Sequence, residues 1–194
     1  MISRNFCERK YLRLKHYDYS QNGAYFVTIC TDERKVYFEK YPNLQKIVLR
    51  FWNDLKTKFP LVDLDEIVIM PNHVHGIIFI IGGDDVRGDG TTHKLPLQMP
   101  RRRRQTMLLS KVVGYFKMNT AKQINQILKR SDKPFWQRSY YEHVIRTENE
   151  LRKIREYIQN NPLQWELDRE NPRSKNFDLD HDLYWKEVYC MGNS

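Results

Sequence analysis

The stretch Glu66–Ile81, EIVIMPNHVHGIIFII, holds two apolar, β-branched runs separated by Pro71-Asn72. Each run has the length and composition of a strand, and a connection this short makes them an antiparallel pair. Side chains alternate across a strand, so His73 and His75 leave the sheet on one side while Val74 enters the other.

Regular patterns continue on both sides of this hairpin. Upstream, Ala24–Thr31 (AYFVTICT) reads as a strand, and Leu44, Ile47, Val48, Phe51 and Leu55 recur at helical spacing between Pro42 and Pro60. Downstream, Leu109, Val112, Val113, Phe116, Thr120, Ile124 and Ile127 form a second helical stripe, and Phe135–Ile145 (FWQRSYYEHVI) reads as a fourth strand. Thr147-x-x-Glu150 is a capping box opening a helix through Leu151, Ile154 and Ile158 that closes before Asn161-Pro162. The order βαββαβ plus a helix predicts an α+β, ferredoxin-like split βαβ fold: an antiparallel four-stranded sheet with helices on one face. One domain over 1–194 is expected, with a flexible basic loop at about 82–104 and a tail over 164–194 that wraps the domain.

The chain has 194 residues, 40% hydrophobic and 13% aromatic, which excludes whole-chain disorder. Lys and Arg number 33 against 24 Asp and Glu, a net charge of +9 that points to a polyanionic partner, most often nucleic acid. Cys7, Cys30 and Cys190 are odd in number and far apart, which fits neither a disulfide framework nor a zinc ribbon. No stretch approaches the ~20 apolar residues of a membrane span, and no apolar signal core opens the chain, so a cytoplasmic protein with no membrane partner is expected.

Two imidazoles on one strand face make a divalent-metal clamp that lacks further ligands; the plainer alternative is a pair of polar residues at a strand start. On the following helix, Tyr115 lies about 100° from the face of Val112, Val113 and Phe116. Asn119 follows one turn later, and Lys111 and Lys122 bracket the row. The plainer alternative for Tyr115 is an ordinary boundary aromatic. Together the two elements make metal-assisted phosphodiester chemistry with a tyrosine nucleophile plausible. The run Arg101, Arg102, Arg103 and Arg104 suits phosphate contact, with Lys117 and Lys122 on the same helix and Arg138 and Arg146 extending the basic surface.

MPNHVHGII resembles the His-hydrophobic-His strand of single-tyrosine (HUH) transposases, and FWQRSYYEHVIRTENELRKIREYIQNNPLQW resembles the C-terminal signature of their REP-associated branch. The resemblance runs from roughly Tyr17 to Trp165. It implies a nuclease domain acting on single-stranded DNA beside a hairpin, cutting through a 5′-phosphotyrosine with Mg²⁺ or Mn²⁺. It also implies that His73 and His75 are ligands, together with a helix-borne amide. It places the nucleophile on the helix before the FWQR block, where Tyr115-x-x-x-Asn119 matches, with Asn119 as the amide ligand. Should Phe116 hold the nucleophile's position, the protein would bind DNA without cutting it. Tyr140 and Tyr141 are reserve nucleophiles, and His143 alternates with Tyr141. Relatives include both homodimers and monomers. Two other functions fit the same residues: a catalytically silent nucleic-acid-binding protein on this fold, and a metal-independent RNA-binding module, which predicts exposed aromatics on the open sheet face.

Overall fold

A computed structural model describes residues 23–81, 101–131 and 133–175, with the side chains of 101–107 left aside. The expected loop over 82–100, the end of the tail and two of the three cysteines lie outside the described residues.

Strand β1 (Gly23–Cys30) is followed by a single turn, α1 (Tyr37–Lys40), and by helix α2 (Leu44–Lys58). Strands β2 (Val62–Met70) and β3 (His73–Ile80) form the expected hairpin about Pro71-Asn72. Helix α3 (Arg101–Ile127), strand β4 (Tyr141–Ile145) and helix α4 (Glu148–Asn160) follow. The sheet order is β2-β3-β1-β4, with every neighbouring pair antiparallel. β3 therefore sits between β1 and β2, which is the split βαβ arrangement that the element order predicts.

Strand parity divides the core into two layers. Tyr25, Val27 and Ile29 of β1 and Val74 and Ile78 of β3 face α2 and α3, packing with Trp52, Val112 and Phe116. The alternate residues Ala24, Phe26 and Ile77 face the other way and are covered by Leu151, Ile154 and Ile158 of α4. The two crossover helices thus share one face, and α4 closes the second. That second face is itself apolar, so leaving it in water would forfeit its burial energy. The α4 stripe at i, i+3 and i+7 is the matching surface.

Gly76 is a residue whose smallness the packing requires. A Cβ there would lie 2.6 Å from Cζ2 of Trp52, at the outer edge of the indole. The position faces the α2–α3 layer, directly after His75, whose side chain points away from it.

Two boundaries differ from the sequence reading. The arginine run belongs to the start of α3 and not to the preceding loop, because Arg is a strong helix former and Pro100 precedes the first turn. β4 begins at Tyr141, although Phe135 and Trp136 are buried. The Lys117 ammonium donates to the carbonyls of Gln137, Arg138 and Ser139 at 2.6, 3.0 and 3.2 Å, which removes them from any strand ladder. Trp136 is held separately, donating from Nε1 to Thr120 Oγ1 at 2.8 Å.

Candidate metal centre and its tyrosine

His73 and His75 emerge on the α4 side of β3, at 0% and 2% exposure. The Nε2 atoms of the two rings are 2.9 Å apart. Asn72 donates from Nδ2 to the carbonyls of Arg34 and Glu170, at 3.1 and 2.7 Å, so its Oδ1 faces Nδ1 of His73 at 2.8 Å as an acceptor. Nδ1 of His73 must then carry the proton, leaving Nε2 with its lone pair turned toward His75. Thr28 Oγ1 lies 2.8 Å from Nδ1 of His75. Phe26 stacks on the His75 ring with centroids 5.0 Å apart.

Burial pushes the His73 pKa down to about 3, with the nearby Arg34 charge adding to the effect. Burial, then His73, lower His75 well below the usual imidazole value, against a small opposing pull from Asp168. Both rings are neutral at physiological pH, the state in which imidazole binds metal.

Asp168 comes from the segment after α4. Its Oδ1 accepts from the backbone N–H of Glu170 at 2.6 Å. Its Oδ2 is buried, has no hydrogen-bond partner among the described residues, and lies 3.8 Å from Nε2 of His73. His73, His75 and Asp168 each offer a ligand atom within 4.8 Å of the other two. A buried carboxyl oxygen without a donor is costly unless a cation completes it. Two ligands at right angles about a cation, each at ~2.1 Å, stand ~3.0 Å apart, which matches the 2.9 Å between the two Nε2 atoms. The donor set therefore fits a divalent ion of octahedral preference.

Tyr157, on α4, brings its hydroxyl to 3.4 Å from Nε2 of His75, with ring centroids 5.4 Å apart. One helical turn on, Asn161 is buried, and its side-chain oxygen has no hydrogen-bond partner among the described residues. The position of α4 is set by its N-terminus: Thr147 Oγ1 accepts from Glu150 N at 3.1 Å, and Glu150 accepts from Arg146 N and pairs with His143 Nε2 at 2.6 and 2.8 Å.

The sequence-predicted tyrosine lies elsewhere. Tyr115 sits in the α2–α3 layer, across the sheet from the histidines, with its ring 5.6 Å from Phe59 and Lys58 above it at 5.8 Å. Asn119 turns its amide back to the Tyr115 carbonyl at 2.8 Å. The parity that points Val74 at α3 points His73 and His75 away from it, so Tyr115 and Asn119 are not brought to the pair. Tyr140 packs in the same α3 layer, and Tyr141 in the α4 layer. Lys111, Lys122, Arg138 and Arg146 are exposed, while Lys117 is half-buried in its three carbonyl contacts; the side chains of Arg101, Arg102, Arg103 and Arg104 lie outside the description.

The sequence reading missed Tyr157, Asn161, Asp168, Asn72 and Thr28. A signal existed for the first two, since Tyr157-x-x-x-Asn161 repeats the tyrosine–amide spacing of Tyr115-x-x-x-Asn119. Asp168 had none, because it ends a short 3-10 turn over Asn161–Leu167 that shows no hydrophobic period.

The family model described as "Transposase IS200 like" matches residues 102–161, from the start of α3 to Asn161. Over 170 residues the chain is 38% identical to a Haemophilus influenzae Rd protein described as uncharacterized, covering 83% of this chain and 92% of that one. Residues 102–161, which carry α3, β4 and α4, thus match the IS200-like transposase family. Among solved structures, the chain aligns with a REP-associated tyrosine transposase bound to a REP hairpin. That alignment has a TM-score of 0.45 and 20% identity, and covers 79% of this chain and 73% of that one. No helix among the described residues is long and apolar enough to cross a membrane.

Proposed function

We propose that this chain is an IS200-like transposase that cuts and rejoins single-stranded DNA at hairpin-flanked sites, as in the REP-associated branch, with Tyr157 as nucleophile. His73 and His75 would hold Mg²⁺ or Mn²⁺, with Asp168 and the amide of Asn161 as further oxygen ligands. The observation that carries this reading is the 3.4 Å approach of the Tyr157 hydroxyl to His75, beside a buried cluster with an unsatisfied carboxyl oxygen.

The bound ion would polarise a non-bridging phosphate oxygen and stabilise the charge of an in-line displacement. Tyr157 Oη attacks phosphorus, the bond to the 3′ oxygen breaks, and the tyrosine's proton ends on the released 3′-hydroxyl. The 5′-phosphotyrosine keeps the energy of the broken ester, so a 3′-hydroxyl can reverse the step and join a new strand. Phe26 and the Thr28 and Asn72 contacts hold the imidazoles in place. Because the histidines are fully buried, a phosphodiester reaches them only where the segment carrying Trp165 and Asp168 gives way.

The test is Mn²⁺-dependent cleavage of an end-labelled single-stranded hairpin. Tyr157→Phe should abolish cutting, whereas Tyr115→Phe should cut at close to the wild-type rate. Cutting by Tyr157→Phe, or its loss in Tyr115→Phe alone, would overturn the assignment. Binding without cutting in the wild type would favour the catalytically silent alternative.

A further inference from the structure

Thr28 lies on β1, opposite His75 in the β1–β3 register, and is buried. Among the described residues its hydroxyl has a single hydrogen-bond partner, Nδ1 of His75 at 2.8 Å. A hydroxyl both donates and accepts, whereas a neutral imidazole nitrogen does one or the other. The tautomer of His75 therefore dictates which way the Thr28 proton points.

The rest of the cluster decides that tautomer. Nδ1 of His73 donates to Asn72, so Nε2 of His73 is an acceptor. The 2.9 Å Nε2–Nε2 contact then requires a proton on Nε2 of His75. Nδ1 of His75 becomes an acceptor, and Thr28 donates to it. The result is one directed chain running Thr28 to His75 to His73 to Asn72 and on to the carbonyls of Arg34 and Glu170. Nε2 of His75 cannot ligate a cation while it holds this proton.

We propose that Thr28 is the positioning residue of the site: its hydroxyl reverses from donor to acceptor and thereby lets His75 move its proton from Nε2 to Nδ1 when a divalent cation binds. The ring gives its Nε2 proton to water and takes one from water at Nδ1, while the Thr28 hydroxyl keeps its own proton and turns it away from the ring, so the charge of the ring is unchanged. His73 needs no such partner, because Asn72 fixes its tautomer permanently with Nε2 free. The two ligands thus differ: His73 is preset, and His75 is switched by a residue from the neighbouring strand. Other second-sphere partners of metal-binding histidines act by fixing one tautomer, at a typical cost of 10–100-fold in affinity when lost.

This inference rests on the metal site proposed above, and its experiment keeps the two apart. Histidine ¹⁵N spectra of the full chain in EDTA should show His73 protonated on Nδ1 and His75 on Nε2, and Zn²⁺ should move the His75 proton to Nδ1. By Mn²⁺ titration followed by electron paramagnetic resonance, Thr28→Val should bind about 10–100-fold more weakly than wild type. Thr28→Ser, which keeps the hydroxyl, should restore affinity to within about threefold. A cation-free His75 already protonated on Nδ1, or Thr28→Val binding Mn²⁺ like wild type, would overturn the role of Thr28. So would a Thr28→Ser no tighter than Thr28→Val. No Mn²⁺ uptake by the wild type would sink the metal site itself, an outcome told apart from a failure of Thr28 by the tautomers of the cation-free protein.

Discussion

The hydroxyl of Tyr157 stands 3.4 Å from Nε2 of His75, a residue 82 positions earlier in the chain. α4 supplies the phenol and β3 the imidazole, and the apolar contact of Leu151, Ile154 and Ile158 with the sheet holds them at this separation.

Neutral buried histidines make folding sensitive to acid. His73 titrates near 3 in the folded chain and near 6.5 when unfolded. Between those values the unfolded state binds the extra proton, so stability is full above about pH 7 and falls as pH drops. The slope from His73 alone is about 1.4 kcal/mol per pH unit, and His75 is shifted in the same direction. Urea unfolding in EDTA between pH 7.5 and 5 should show this loss, with a shallower slope in His73→Gln. An unchanged slope would mean that His73 is solvated.

Gly76→Ala should destabilise the protein by about 1–3 kcal/mol, because its Cβ meets the Trp52 ring. Trp52→Phe in the same chain should recover part of that loss, since the collision is with the outer edge of the indole. Thermal unfolding of the two single variants and the double variant measures the coupling. Purely additive losses would contradict the contact.

Lys117 binds protein, and its removal should be felt in folding. Lys117→Met leaves three carbonyls without their shared donor and should cost about 1–3 kcal/mol. Because its ammonium is already engaged, the dependence of DNA affinity on salt should keep the wild-type slope. A slope reduced by about one would show that Lys117 contacts phosphate after all.

Much of this fold can be read from alternation. The β2–β3 hairpin, the Thr147 cap of α4 and the shared side of His73 and His75 all follow from local pattern and stand in the structure, although Glu150 turns its carboxylate to Arg146 N and His143 instead of back to Thr147 N. Which tyrosine meets the histidines does not, because Tyr115 and Tyr157 carry the same i+4 amide. The choice depends on which sheet face each helix covers. Val74 and Gly76 turn toward Trp52 and the crossover helices, so the histidines turn toward α4. The arginine run adjoins a Gly-rich stretch that hides its start, although its residues favour a helix. Asp168 reaches the site from the end of a short 3-10 turn over Asn161–Leu167, too brief to show a hydrophobic period.

Mass-spectrometric mapping of the covalent DNA adduct tests the central claim most directly. The chain is incubated with single-stranded hairpin DNA and Mn²⁺, denatured, digested with nuclease and protease, and searched for a nucleotidyl-tyrosine peptide. The account predicts the modification on Tyr157, 5′-linked, in a quantity that falls to background in His75→Ala. An adduct on Tyr115, or on any tyrosine outside α4, would contradict it.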